Sequence, residues 1–482
     1  MREMHRPLTV VGVLLSMFMA AAEATIIATA MPTVVEKLGG IEYYGWVGAI
    51  YLLTSTVTMP LYGKLSDLYG RKPVMLLSMV VFLAGSVASG FSRSMAQLIL
   101  FRALQGLGAG GLQPVSITII GDIFEPVERA RMQGLFGAVW GVSAMSGPLL
   151  GGLIVKALSW RWVFFINVPF GLVSAFFLLT FFHERGTTHA HKLDLGGAAL
   201  LTGSIVALLL GAQRYATAIM LPLSALLLAA FVAVEARVSE PVLPLALLRR
   251  KIIAVSSAAG AAVGAAMSST VIYLPLYVQA VLGDSPTQAG ATVSPMLIGW
   301  PIASALSGQL LPRTGYRPLI RTGFVVVSIM SIALALLLRE GASALVLGAT
   351  MFVMGAGMGT ANSALIIAVQ ESATWQERGI ATASTLFFRT IGGAVAVGAL
   401  GSVLASTMGP DVPAALLNRL LAPNRGGLDP SVAAHLAGSL RTALVHVFDL
   451  IGAISVAALA TAFLFPRLHL TPREPPALVT DE

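Results

Sequence analysis

The chain has 482 residues, of which 56% are hydrophobic and 11% charged, and its mean hydropathy is +0.84. A soluble domain carries about twice that charged share, so the numbers describe a membrane protein. In such a chain a net charge of +8 reflects which loops stay inside rather than a nucleic-acid footprint, and the lack of cysteine excludes a disulfide framework and a thiolate metal site.

Apolar runs of about 20 residues, enough to cross a bilayer, lie near 8–30, 45–63, 74–92, 96–121, 132–156, 161–182, 194–213, 217–236, 252–280, 288–311, 318–338, 343–370, 379–407 and 442–465. They are continuous rather than alternating, which excludes a strand barrel. The expected fold class is all-α integral membrane with 14 transmembrane helices. The first run reads as a retained helix, since it is long enough to span and Ala20–Ala22 only mimics a cleavage site. With the N-terminus inside, the inner loops collect Arg2, Arg6, Lys64, Arg71, Lys72, Arg129, Arg131, Arg249, Arg250, Lys251 and others. That bias predicts a multi-pass protein of the cell (plasma or inner) membrane with both termini cytoplasmic.

In chain order, the first unusual residue is Glu23, about 15 residues into the first run. A charge there costs several kcal/mol unless neutralised or hydrated. Ser16, Glu23 and Ala30 recur every seven residues, a small and partly polar stripe expected to face the bundle interior. Two roles are open: an acid that holds a proton while occluded and releases it on hydration, or a hydrogen-bonded lock between helices. The loop "GKLSDLYGRKP" follows, with Asp67 between Gly63 and Gly70 and next to Arg71 in helical spacing. An acid there can pair with Arg71 or sit at a helix N-terminus; as a surface ion pair it would be of small value. Arg102 and Gln105 lie inside the fourth run. A buried guanidinium needs an acceptor, and Glu23 is one candidate. Gly147, Pro148, Gly151 and Gly152 give the fifth run a small face and a bend. Further on, Arg389 is a possible C-terminal counterpart of Arg102. Asp449, with His446, is a possible second relay or a snorkelling acid. "GLGAGG" (106–111) fits a dinucleotide fingerprint only formally, because no strand precedes it. "HAH" (189–191) reads as a solvated loop. No Walker A, GxSxG or HExxH is present, so no enzyme activity, cofactor or metal is expected.

"GKLSDLYGRKP" (63–73) is matched after the tenth run by "GQLLPRTGYRP" (308–318). The repeat predicts duplicated halves: 1–185 an N-terminal six-helix bundle, 186–250 two inserted linker helices, and 251–482 a C-terminal six-helix bundle with a long outer loop at 408–441. The first loop resembles a signature of the major facilitator superfamily, "RALQGLGAG" (102–110) its helix-4 motif, and "SGPLLGG" (146–152) the helix-5 motif of its antiporters. Together with "EATIIATAMP", "WRWVFFINVPFG" (160–171) and "LPLYVQAVLGDSPTQAG" (274–290), they resemble its fourteen-helix drug:proton antiporter branch. The sequence departs from that branch at Glu23, usually aspartate there, at Ser143, a glycine in the longer helix-5 motif, and at Pro312, an aspartate in the second-half loop.

The resemblance implies the major facilitator fold, with the Asp67 loop latching the halves and the glycines of the fifth helix marking antiport. The expected function is proton-coupled export of lipophilic, preferably monovalent cationic compounds by alternating access, since one deep acid offsets one positive charge. Its partners are small lipophilic substrates, protons and the lipid bilayer, with no nucleic acid, and it is expected to work as a monomer. A dedicated exporter of a native metabolite or lipid is the alternative. A receptor or enzyme built on the same bundle is disfavoured because no catalytic or sensory constellation appears.

Overall fold

The computed structural model describes residues 4–40, 43–184, 194–212, 216–238, 241–408 and 429–466. All regular elements among them are helical. The first group comprises α1 (Arg6–Leu38), α2 (Tyr44–Tyr69), α3 (Arg71–Gly90), α4 (Met95–Ile123), α5 (Pro126–Ala157), the one-turn α6 (Trp162–Phe165) and α7 (Asn167–Phe181). Then come α8 (Leu195–Ala212), α9 (Thr217–Glu235) and the short α10 (Leu245–Arg249). The last group is α11 (Lys251–Tyr277), α12 (Pro286–Thr314), α13 (Tyr316–Glu340), α14 (Ala344–Ser372), α15 (Arg378–Met408) and α16 (Pro430–Phe463).

Ten helical stretches among the described residues are long and apolar enough to cross a membrane. The helices α2, α4 and α5 fall outside that count although each exceeds 25 residues. They are diluted by glycine, serine, threonine and glutamine, which they use for packing. In α4, Gly106 and Gly110 lie against α2, where an added Cβ would come within 2.5 Å of the Tyr51 and Ser55 carbonyl oxygens. Gly108 lies against α3, with Phe82 N only 2.2 Å from such a Cβ. The "GLGAGG" stretch is therefore a packing ladder that lets three backbones approach closely.

Within the first group, α4 packs on α2 and α3, and α1 on α5 and α7. Within the last, α11 packs on α15 and α16, α12 on α14, and α13 on α14 and α16. The two groups meet mainly along α2–α15 and α5–α12. Both seams are close: a Cβ on Gly63 would sit 2.4 Å from Ala383 Cβ, and one on Gly308 would sit 2.5 Å from Ala130 Cβ. The helices α8 and α9 pack on each other, and α8 borders α2 and α15. The repeated loops also share a backbone feature. Gly70 and Gly315, each opening the next helix, have φ of +94° and +74°, a left-handed conformation that favours glycine.

Some boundaries differ from the sequence expectation. The 161–182 run is split between α6 and α7. The helix α16 starts at Pro430, so 430–441 is helix rather than outer loop. Asp429 accepts from Ser431 N at 2.9 Å and Pro430 takes the first turn, a helix start that hydropathy alone does not register. The remainder of the expected outer loop (409–428) and "HAH" lie outside the described residues.

Candidate functional site: a buried acid and a bridged seam

The stripe on α1 is buried throughout: Ser16, Glu23 and Ala30 are all at most 1% exposed. Arg102 Nη1, from α4, donates to Glu23 Oε1 and, at 2.7 Å, to Gln105 Oε1. Arg102 Nε donates to Val47 O at 3.2 Å, and its guanidinium lies 4.2 Å from the centre of the Tyr51 ring. Asn167, the first residue of α7, donates through Nδ2 to Glu23 Oε2 at 2.6 Å and to Ser86 Oγ at 3.0 Å. Gln105 Nε2 also donates to Ser86 Oγ, at 3.1 Å, and the Ser86 hydroxyl donates in turn to Phe164 O at 2.8 Å. The Glu23, Arg102 and Gln105 expected from sequence are thus brought together. Asn167, Ser86 and Tyr51 complete the cluster and carry no charge that would have flagged them.

Both oxygens of Glu23 have donors, which offsets the cost of burying the charge. Within this cluster Glu23 is the only acid. Its neighbours there are the Arg102 guanidinium and neutral polar side chains.

The glycine motif on α5 lies against the same stretch of α1. A Cβ on Gly147 would be 2.2 Å from Thr25 Oγ1, and one on Gly151 would be 2.0 Å from Thr29 Oγ1. Thr25 Oγ1 donates to Ser143 O at 3.0 Å. Gly152 faces open space. Pro148 lies inside α5.

Asp67 and its neighbours form a second cluster, at one end of the α2–α15 seam. Asp67 accepts from Gly379 N at 2.8 Å and Ile380 N at 2.7 Å, so it caps the start of α15, and Arg71 Nη1 lies 2.8 Å from its Oδ1. Arg71 is wholly buried. It also donates to Ser66 O and Trp375 O, both at 2.6 Å, and to Asp122 Oδ2 at 3.0 Å. Asp122, at the end of α4, pairs with Arg378 of α15 at 2.5 Å. On the other seam, Glu371 at the end of α14 pairs with Arg129 of α5 at 2.6 Å. Asp122 and Glu371, both near helix ends, each bridge the two helix groups. Gly70 sits against Glu184, whose carboxylate caps α3 by accepting from Arg71 N at 2.6 Å and Lys72 N at 3.1 Å.

The remaining expected residues lie apart. Asp449 pairs with Arg339 at 2.6 Å with both side chains more than a third exposed, on the rim of a groove of about 440 Å³ between α13 and α16. Arg389 Nη1 donates to Asn362 Oδ1 at 3.2 Å. Among the described residues no group of three His, Cys, Asp or Glu side chains suits a metal ion.

The sequence matches the Major Facilitator Superfamily profile over residues 13–397. It is 35% identical over 449 residues to the multidrug transporter protein MdtP of Bacillus subtilis, covering 91% of this chain and 82% of that protein. It is 36% identical over 407 residues to multidrug resistance protein 3 of the same organism, covering 82% and 78%. In fold it is similar to the proton:xylose symporter XylE, with a TM-score of 0.64, 14% identity and 95% of each chain covered.

Proposed function

The chain belongs to the major facilitator superfamily, a family of transporters rather than enzymes, and from that premise we propose that it exports lipophilic compounds in exchange for protons. The observation that carries the reading is the buried Glu23 carboxylate, held by Arg102 and Asn167 and the one carboxylate of its cluster. A proton arriving at Glu23 removes the counter-charge of Arg102. The guanidinium must then re-pair, which shifts α4 relative to α1. The close contact of Gly147 and Gly151 with Thr25 and Thr29 carries that shift to α5 and on to the α5–α12 seam. A lipophilic cation competes for the same carboxylate, and one acid favours monovalent over divalent cations.

In this reading the chain is a fourteen-helix drug:proton antiporter working as a monomer in the cell (plasma or inner) membrane. Residues 1–185 and 251–482 are its two halves, 186–250 carries the extra helix pair, and both termini are cytoplasmic. Asp67, Gly63, Gly70 and Arg71 then shut the cytoplasmic side between the halves, and alternating access opens it. Support comes from the positive charge gathered at that end and from the bridges that cross both seams there.

The test is efflux from proteoliposomes of stated orientation under an imposed proton gradient. Wild-type protein is expected to concentrate a lipophilic dye against its gradient and to stop when an uncoupler is added. Glu23→Gln, which mimics the protonated acid permanently, is expected to lose driven efflux while keeping normal expression. Uncoupler-insensitive efflux, or full efflux by Glu23→Gln, would remove the proton from the mechanism.

A further inference from the structure

Two arginines lie deep within the long helices, Arg102 and Arg389. Arg102 has Glu23. Arg389 pairs with no carboxylate among the described residues, and the bond to Asn362 uses one of its five N–H donors. Its surroundings are helices on several sides. A Cβ on Gly264 of α11 would lie 1.8 Å from Arg389 O, and one on Gly260 would lie 4.0 Å from Arg389 Cβ, so α15 is pressed onto α11 here. Asn362 belongs to the stretch 361–370 of α14, which is buried throughout. The adjacent Thr390 reaches Met59 Sδ of α2 at 3.9 Å. Arg389 keeps some exposure despite this depth, whereas Asn362, to which it donates, is buried.

The charge balance of the interior is therefore lopsided. The deep acid is fully engaged, with donors on both oxygens, while the deep cation of the other helix group is not neutralised. An unpaired ion in an apolar interior is costly, and the cost is offset when a ligand supplies the counter-charge. We propose that Arg389, oriented by Asn362, is a subsite for the anionic group of a lipophilic compound, such as a carboxylate or sulfonate. A guanidinium presents parallel N–H donors that match two oxygens of such a group. The inference rests on the export reading above and adds acid-bearing lipophiles to its substrates, at a place separate from Glu23.

The experiment uses full-length protein in proteoliposomes and two dyes, anilinonaphthalene sulfonate as the anion and ethidium as the cation. The readout is the ratio of kcat/KM for the sulfonate to that for ethidium. Arg389→Gln is expected to lower this ratio at least about tenfold through the KM of the sulfonate, the loss of a charged hydrogen-bonded pair. Arg389→Lys is expected to restore part of it, and Asn362→Ala to lower it by a smaller factor. Should Arg389→Gln fail to fold, the lysine and Asn362 variants carry the same comparison. An unchanged ratio in all variants, or equal loss of both dyes with no recovery by lysine, overturns the subsite. Wild-type transport of ethidium but not of the sulfonate overturns it too and leaves the export reading standing. Transport of neither dye overturns both.

Discussion

Replacing Arg102 by alanine would leave the buried Glu23 carboxylate with Asn167 as its remaining donor. Breaking one side of a buried ion pair costs about 3–5 kcal/mol, whereas removing both charges is often much cheaper. Arg102→Ala is therefore expected to lower the thermal unfolding midpoint of the purified protein by more than the double variant Glu23→Gln/Arg102→Gln does. A double variant at least as unstable as Arg102→Ala would mean that the pair is not where this stability resides. Asn167→Ala is expected to cost less, about 1.5–3 kcal/mol for one hydrogen bond to a charged group. At this scale, the charged members of the site were legible in the sequence because a charge in an apolar run has no other reading at low cost. Asn167, Ser86 and Tyr51 were not. Neutral polar side chains are common in membrane helices, and only the folded chain brings α2, α3 and α7 to one point.

Helix contacts make a sharper distinction among the α5 glycines than their shared motif does. Alanine at Gly147 or Gly151 would place a methyl group 2.2 or 2.0 Å from a threonine oxygen of α1, whereas alanine at Gly152 would meet nothing within 4 Å. Overpacking of this kind costs about 1–3 kcal/mol. Gly147→Ala and Gly151→Ala are expected to lower both the unfolding midpoint and the efflux rate, and Gly152→Ala to leave the midpoint in place. Equal effects at all three positions would show that helix propensity, not the α1 contact, sets the result. The elements themselves were largely written in the apolar runs. What hydropathy missed were ends fixed by capping, such as the α16 start at Asp429 and Pro430. It also missed the break between α6 and α7, which puts Asn167 at a helix start beside Glu23.

For the whole molecule, the informative feature is how the two helix groups are joined. The match between two short loops was legible in the sequence, but the partners of those loops were not. Asp122 and Glu371 look like ordinary helix-end acids until Arg378 and Arg129 are seen opposite them. The repeat is also unequal: Asp67 caps α15, while the matching position in the second loop is Pro312 and α5 is capped by its own Glu125 and Glu128. Asp67→Asn halves the acceptors available to Gly379 and Ile380 and removes the charge facing Arg71. It is expected to part the groups at this end. The chain has no native cysteine, so spin labels at Arg131→Cys and Gln376→Cys report the separation without background. A longer distance population in the Asp67→Asn background is the expected result; a distribution identical to that without the substitution would mean the cap does not hold the seam.

The two close glycine crossings have a mechanical consequence. Gly63 lies 6 residues from the Asp67 end of α2 and 19 from the other end, and Gly308 divides α12 in nearly the same way. At about 1.5 Å per residue these are arms of about 9 Å and about 28 Å. Rotation about such a fulcrum turns each ångström of parting among the salt bridges into about three ångströms of travel at the opposite mouth. For the export proposed above, such gearing would make the travel at the opposite mouth about three times the displacement among the salt bridges.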